Sequence, residues 1–162
     1  MKQRSFRVIL LLGSYDPDTK RVMDTMKKEI IRAFSGTNIH VYLLDEISIF
    51  ANHKFFVIVE KWRENRLSIF IFEHSGYPME SLELEITTED IDTLVKKAIS
   101  EKYAKDVTKI PILEKFKILA QQAISIIVIR DKEETRGGEI AELTYLILSG
   151  FSQKVCLFKS QR

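Results

Sequence analysis

Two acidic residues near the C-terminus have the spacing of a catalytic pair. Glu139 and Glu142 are three residues apart, so they share one side of the helix that the apolar residues 140–148 predict. Both lie in the first turns of that helix, where the dipole stabilises a carboxylate by about 0.3–1 kcal/mol. An ionised carboxylate is a competent nucleophile or general base, and it stabilises an oxocarbenium-like sugar. The alternative is that both acids only complement the helix dipole.

Small and charged residues before this pair extend the candidate site. Gly137 and Gly138 let a ligand approach the backbone closely and leave N–H groups available. Arg136 can bind a phosphate, or it can pair with a glutamate of the same loop. Asp131 follows the strand predicted over residues 124–129 and can orient a sugar hydroxyl or the nucleophile. Together these residues predict a ligand site without naming its reaction.

The elements that position these residues form a βαβ unit. Residues 124–129 are a continuous β-branched apolar run, as in a strand buried on both faces. Residues 155–158 predict a second buried strand, and Gly150 stands where a left-handed cap of the intervening helix belongs. Ligands of open α/β sheets bind at the carboxyl ends of the strands, where the turn before Glu139 is expected.

A second candidate turn follows the first predicted strand, residues 6–12. Gly13, Ser14 and Tyr15 can cradle a phosphate or a ribose, with Tyr15 covering a base. The turn lacks the dinucleotide fingerprint GxGxxG, so an ordinary strand-to-helix turn is the alternative. Both candidate turns follow predicted central strands, and a parallel sheet would bring them together at its carboxyl edge.

The first helix has clear start signals. Asp16 suits the N-cap and Pro17 suits the first helical position. Residues 38–44 predict the second strand, and Asp45 and Glu46 follow it, where acids can hold ribose hydroxyls or lie in a solvated loop. The apolar positions that should bury one face of the helix are Val22, Met23, Met26, Ile30 and Ala33.

The middle of the chain is less regular. Residues 54–59 and 67–72 are strand-like on either side of a polar turn, which favours an antiparallel hairpin. Residues 82–86 alternate and predict a short edge strand. Thr88 is expected to cap an amphipathic helix, and a further helix is expected over residues 111–122. That last helix should bury Leu113, Phe116, Leu119 and Ala120.

Composition narrows the class of protein. The 162 residues carry a net charge of only +2, which is too balanced to predict nucleic acid or an anionic membrane as a partner. Cys156, the one cysteine, falls in a predicted buried strand, so we expect no disulfide and a reducing compartment. The apolar run 8–12 is shorter than a secretory or membrane-spanning segment. A cytoplasmic location is therefore expected.

Neither a metal nor another cofactor is expected, because the three histidines lack the spacing of a helical zinc motif. As a partner, a second copy of the chain is expected, so that the protein forms a homo-oligomer. Tyr145 and Leu146 are apolar residues outside the main stripe of the last predicted helix, and a surface helix needs only one apolar face. The excess predicts a second partner surface, and the alternative is that this surface lies under the middle insertion, residues 46–87.

The two ends of the chain resemble a known family. The run IIVIRDKEETRGGEIAELTYLI, followed after Gly150 by KVCLF, is similar to the C-terminal signature of nucleoside 2-deoxyribosyltransferase-like proteins. The related Toll/interleukin-receptor-like NAD hydrolases have a similar layout. The start RVILLLGSY looks like the family's first strand and substrate loop. The resemblance covers roughly the first 45 and the last 40 residues.

This resemblance implies roles for particular residues. Gly137 and Gly138 match the family's small-residue turn, Glu142 its catalytic glutamate, and Asp131 the acid after the strand. The implied activity is cleavage or transfer at the N-glycosidic bond of a nucleoside or nucleotide, with Glu142 attacking or stabilising C1′. A non-catalytic nucleotide-sensing or protein-interaction module of the same fold is the alternative. RGGEIAE has a weaker similarity to nucleotide-binding proteins resembling lysine decarboxylases.

The expected architecture combines these elements. We expect a single α/β domain over residues 1–162, with a three-layer flavodoxin-like or Rossmann-like fold and a mostly parallel sheet. The hairpin should be an insertion in that sheet, within residues 46–87.

Overall fold

A computed structural model of the protein describes residues 6–13, 16–62, 65–103, 106–130 and 149–159. The contacts divide the chain into two compact units, residues 1–44 with 116–162, and residues 45–115. The helices and strands are, in chain order, β1 (Arg7–Gly13), α1 (Pro17–Ala33), β2 (Ile39–Leu43), β3 (Ile47–Ala51), β4 (Phe55–Trp62), β5 (Arg66–Glu73), β6 (Pro78–Glu85), α2 (Ile91–Tyr103), β7 (Thr108–Lys109), α3 (Ile112–Gln122), β8 (Ala123–Arg130) and β9 (Val155–Lys159).

The first unit contains a four-stranded sheet in the order β2-β1-β8-β9. All three neighbouring pairs are parallel, as the two predicted βαβ units require. Because the strands run the same way, their carboxyl ends lie at one edge of the sheet. β1 and β8 occupy the two central positions, so the prediction that both candidate turns follow central strands is confirmed.

Helix α1 packs its apolar stripe against this sheet. Met23 is 2% exposed, and Val22, Met26 and Ile30 pack around the same cluster. The predicted stripe is therefore confirmed except at Ala33, the last helical residue, which is exposed. The cluster contains Ile9, Leu11, Met23, Val41, Leu43 and Ile129.

Four apolar residues of this unit that we expected to be buried are instead exposed. Leu157 and Phe158 of β9, the last strand in the sheet order, are 52% and 44% exposed. Cys156 is exposed as well. Ile124 is 51% exposed, although β8 is central, because it stands near the strand's start, before the register with β9 begins at Ile126. The prediction of strands buried along their whole length was wrong at these positions.

The second unit is built on a five-stranded sheet in the order β6-β5-β4-β3-β7. Its strand pairs are antiparallel. The predicted hairpin is confirmed as β4 and β5, which pair from Phe55 and Glu73 to Trp62 and Arg66. It is part of a complete sheet, however, and the molecule is a mixed α/β protein with one parallel and one antiparallel sheet.

The core of this second unit lies between its sheet and α2. Val95 and Ile99 of α2 are both fully buried in a cluster with residues of β3, β4 and β5. The helix begins at Ile91, and the Asp90 carboxylate accepts hydrogen bonds from Thr93 N and Thr93 Oγ1 at 3.4 Å. Asp90 therefore takes the capping place that we predicted for Thr88.

Helix α3 was predicted to within one residue. Phe116, Leu119 and Ala120 are buried as expected, whereas Leu113 is 60% exposed. Leu113 lies in the first turn of α3, one turn before the first buried residue. No helix of the described ranges is long and apolar enough to cross a membrane. The single domain over residues 1–162 stays a prediction, because compact units need not fold independently.

Candidate site at the carboxyl edge of the parallel sheet

The two central strands of the parallel sheet end side by side. Gly13, the last residue of β1, is the register partner of Ile129 in β8, and Leu12 is the partner of Val128. Position 14 therefore follows β1, and position 131 follows β8, from neighbouring places on one sheet edge. Both segments that carry the predicted site residues start there.

Gly13 is tightly enclosed. A Cβ atom at this position would lie 3.1 Å from Met23 Sδ, 3.1 Å from Thr19 Cγ2 and 3.3 Å from the carbonyl oxygen of Ile129. These distances are shorter than ordinary van der Waals contacts. The glycine thus lets α1 and β8 approach the end of β1, which is a packing reason for glycine that the sequence does not reveal.

The N-terminus of α1 is closed by its own cap. Asp16 Oδ1 accepts hydrogen bonds from Asp18 N at 3.1 Å and Thr19 N at 3.0 Å, and Asp16 Oδ2 accepts one from Thr19 Oγ1 at 2.9 Å. Pro17 follows the cap, so the predicted start of the helix is confirmed. A carboxylate thus occupies the place where a phosphate would bind a helix N-terminus.

Most of the predicted site residues lie outside the described residues. These are Ser14, Tyr15, Asp131, Arg136, Gly137, Gly138, Glu139 and Glu142. The helix predicted over residues 140–148 also lies outside them. Gly150, which follows that stretch, has φ of 81°, the left-handed conformation that we predicted for it.

Asp45 and Glu46 belong to a short 3-10 helix, Leu44–Glu46, directly after β2. The contacts assign them to the second unit, with residues 45–115. The chain therefore passes from the parallel sheet to the antiparallel sheet at the position where we considered acids for ribose hydroxyls. That interpretation and the solvated-loop interpretation both stay open.

His40 of β2 is a titratable group of the first unit whose pKa is strongly shifted by its surroundings. Its ring stacks on Phe6, with centroids 4.1 Å apart and an interplanar angle of 16°. Burial lowers the pKa of His40 from 6.5 to about 4. The ring is therefore neutral at pH 7 and acts as a packing group on this strand. Within the described residues, no three His, Cys, Asp or Glu side chains form a metal-binding group.

The second unit contains a cleft of about 630 Å³ whose walls include Lys54, Phe55, Glu73, His74 and Tyr103. His74 Nε2 lies 2.7 Å from the carbonyl oxygen of Asn52. Sequence reasoning missed this cleft, because its walls come from three separate parts of the chain.

Glu80 links β6 to the end of α2 beside this cleft. Its carboxylate accepts hydrogen bonds from Lys102 Nζ and Tyr103 Oη. The bond from Lys102, followed by that from Tyr103, lowers the pKa of Glu80, while burial and then Glu80 raise the pKa of Tyr103 to about 12. Glu80 is therefore ionised, and its bonds to Lys102 and Tyr103 give it a structural role.

A smaller pocket of about 340 Å³ in the same unit is lined by Ser48, Lys109 and Lys115. Lys115 Nζ donates to the carbonyl oxygen of Ile47 at 2.9 Å, and Lys109 Nζ lies 3.1 Å from the Asp92 carboxylate. Burial, and then Lys109, lowers the pKa of Lys115. Both ammonium groups thus have partners within the unit.

The sequence and fold were compared with known proteins. No protein-family model, curated protein or solved structure gives a significant match. The function proposed for the chain therefore depends on its own residues and on the resemblance of its two ends to the deoxyribosyltransferase-like family.

Proposed function

We propose that the chain cleaves or transfers a group at the N-glycosidic bond of a nucleoside or nucleotide. Glu142 is the proposed catalytic residue, and Asp131 orients it or a sugar hydroxyl. Gly13, Ser14 and Tyr15 on one side, and residues 136–139 on the other, bind the substrate. The resemblance of the last 40 residues or so to nucleoside 2-deoxyribosyltransferase-like proteins supports these roles.

One structural observation carries the proposal. Gly13 and Ile129 are register partners in the two central strands of a parallel sheet. The substrate loop and the catalytic segment implied by the resemblance both begin beside this pair. Ligands of open parallel sheets bind at this edge, so the topology supports a shared site for two segments more than 100 residues apart in the sequence.

The chemistry requires a charged group close to C1′. As the bond between C1′ and the base nitrogen breaks, its electron pair leaves with the base, and positive charge develops on C1′ and the ring oxygen. A carboxylate at position 142 stabilises that charge or forms an ester with C1′. Attack by water then gives the free sugar, and attack by a second base gives a new nucleoside.

The cap of α1 restricts which part of the substrate can bind at the turn that follows β1, at Gly13. The Asp16 carboxylate already accepts hydrogen bonds from Asp18 N and Thr19 N, and it would repel a phosphate placed beside it. A neutral sugar, with hydroxyl groups that donate to acceptors, fits this end of β1 better. We therefore assign the ribose, and not a phosphate, to the turn at Gly13.

The proposal includes a three-layer arrangement of helices on both faces of the parallel sheet. Helix α1 packs against the sheet through Met23, and β8 and β9 are parallel neighbours, which requires a crossover connection between them. A three-layer flavodoxin-like or Rossmann-like arrangement is the simplest fold that accommodates these features. It would place the second unit as an insertion between β2 and α3.

A substrate screen tests the proposal. The purified chain is incubated with NAD, nucleosides and nucleoside monophosphates, with and without a second free base, and the products are separated by chromatography. We expect release or exchange of a base from at least one compound. Saturable binding without turnover would favour the alternative, a non-catalytic nucleotide-binding module. The absence of both binding and turnover would overturn the enzyme and the nucleotide-binding hypotheses alike.

A further inference from the structure

Strand β9 presents an open edge. It pairs with β8 along residues Val155–Lys159, and it is last in the order β2-β1-β8-β9. Among the strands that the structure describes, it has no partner on its other side. Such an edge exposes backbone N–H and C=O groups that can pair with another strand.

The side chains of β9 are exposed together with its backbone edge. Leu157 is 52% exposed and Phe158 is 44% exposed, and Cys156 between Val155 and Leu157 is exposed too. The strand at the opposite edge of the sheet differs, because Val41 and Leu43 of β2 are at most 2% exposed. Of these two edge strands, only β9 presents apolar side chains to a partner.

The antiparallel sheet protects its long edge strand in the usual way. Strand β6 begins at Pro78 and carries Glu80, Glu83 and Glu85, and proline and charged side chains discourage pairing at an edge. The run VCLF in β9 contains neither. Strand β6 thus carries charge along its length, whereas β9 has lysines only at its two ends, Lys154 and Lys159, and an apolar centre that can pair with another strand.

A groove beside β9 adds apolar surface to this edge. It has a volume of about 460 Å³ and is lined by Phe158 and, from α1, by Val22 and Met26. Asp18 and Arg21, 3.7 Å apart, also line it. Five strand residues extend only about 17 Å, so the strand alone offers a small contact surface. A stable interface needs more, since it buries about 1,200–2,000 Å² in total. The groove supplies the additional area that a short strand lacks.

We propose that β9 pairs antiparallel with β9 of a second copy of this chain across a two-fold axis. The two four-stranded sheets then form one continuous sheet, with the two α1 grooves beside the seam. A two-fold axis makes the same surface serve both partners.

The charges of the strand fit this self-pairing. Antiparallel pairing centred on Cys156 or on Leu157 places neither Lys154 nor Lys159 opposite another lysine. Directly opposed like charges destabilise a strand pair. A two-fold axis requires pairing centred on a residue, because successive side chains of a strand point to opposite faces, so both of these symmetric registers avoid a lysine pair. Lys154 is also drawn back into its own protomer, where its Nζ donates to the carbonyl oxygen of Ala123 at 2.7 Å.

The single cysteine provides a direct test. In either register the two Cys156 Cβ atoms would lie about 5–8 Å apart, so a short bismaleimide should join the wild-type chain into a covalent dimer. The Cys156→Ser variant should give none. Its derivative that also carries Met79→Cys is the matched control, since Met79 is 46% exposed on β6, and treatment should give no covalent dimer of it.

Light scattering measures the oligomeric state of the wild type and of variants in β9 and β6. We expect a dimer at micromolar concentration, and Leu157→Glu should raise its dissociation constant at least about tenfold, because like charges would meet at the seam. Met79→Glu should leave the dimer intact. A monomeric wild type, a dimer unaffected by Leu157→Glu, or equal crosslinking of the Met79→Cys protein would each overturn the proposal. If Leu157→Glu fails to fold, the crosslinking of the wild-type chain through Cys156 still tests the β9 pairing.

Discussion

Gly13 at the end of β1 is the register partner of Ile129 near the end of β8, and an added Cβ on Gly13 would lie 3.3 Å from the Ile129 carbonyl oxygen. This pair joins two parts of the chain that are far apart in the sequence. It fixes where the first turn and the C-terminal segment begin relative to each other. The proposed site depends on that relationship more than on any other described contact.

The tight packing at Gly13 predicts a loss of stability on substitution. Gly13→Ala should lower the free energy of unfolding by about 1–3 kcal/mol, as overpacking of a close-packed site does. The new methyl group would lie 3.1 Å from both Met23 Sδ and Thr19 Cγ2. Chemical denaturation of the wild type and the variant measures the difference.

A double-mutant cycle identifies the cause of that loss. Thr19→Ser removes Cγ2 and keeps the hydroxyl that donates to Asp16 Oδ2. The two substitutions together should therefore cost less than the sum of their separate effects. Strict additivity would show that the methyl group of Thr19 does not cause the strain.

The cap of α1 predicts a second loss of stability. Asp16→Ala removes the acceptor of Asp18 N, Thr19 N and Thr19 Oγ1 and should destabilise the fold by about 0.5–2 kcal/mol. Asp16→Asn keeps a side-chain oxygen at the cap and should cost much less. Thermal melts of the three proteins test this order, and equal losses in both variants would contradict the capping role.

The charge of Asp16 also predicts substrate preference. If the ribose binds at the turn beside Gly13, the carboxylate disfavours a phosphate there. Asp16→Asn should then increase the binding of a nucleoside monophosphate relative to its nucleoside by about 2- to 5-fold, which corresponds to about 0.3–1 kcal/mol for one charge at a helix end. Calorimetric titration of both ligands measures the ratio. An unchanged ratio would place the substrate away from this turn.

Burial of His40 predicts that stability depends on pH. Because its pKa is lowered from 6.5 to about 4, the unfolded chain binds more protons than the folded chain between these two values. The free energy of unfolding therefore falls as the pH falls through this window, with an upper limit of about 3 kcal/mol. Below about pH 4 this contribution becomes constant.

Replacing the imidazole separates its contribution from those of other groups. His40→Phe keeps a ring that can stack on Phe6 and removes the titration, so its stability should fall less than that of the wild type between pH 6.5 and pH 4. His53→Phe, at an exposed position, is the control and should follow the wild type. Identical profiles for the wild type and His40→Phe would exclude the buried imidazole as the cause.

The parallel sheet was predictable because its strands have strong local signals. The apolar runs of β1 and β8 and the Asp16–Pro17 start of α1 each specify an element without help from distant residues. The place of β9 at the edge was not predictable, since VCLF has the composition of a buried strand whether or not a neighbour covers it. Exposure of Leu157 depends on which elements cover the strand, which is not a local property of the sequence.

The antiparallel sheet was predicted only in part for the same reason. The polar turn between β4 and β5 marks a hairpin locally. Strand β3 was missed although it pairs with the next strand, β4, across the short connection 52–54, whereas β7 joins the sheet through residues distant in the sequence. In the site, the resemblance implied a substrate loop at Gly13. The packing of that glycine against Thr19 and Met23 depends on tertiary structure and has no signature in the sequence.

The central claim is that a carboxylate at position 142 performs the chemistry at the edge marked by Gly13 and Ile129. The most direct test is turnover of the identified nucleoside or NAD substrate by Glu142→Gln and, as the matched control, Glu139→Gln, with melting temperatures measured alongside. Glu142→Gln should fold and bind substrate but lose turnover by about 10²-fold or more, because it removes charge that stabilises the transition state. Glu139→Gln should have a milder effect. Near-native turnover by Glu142→Gln would contradict the assignment.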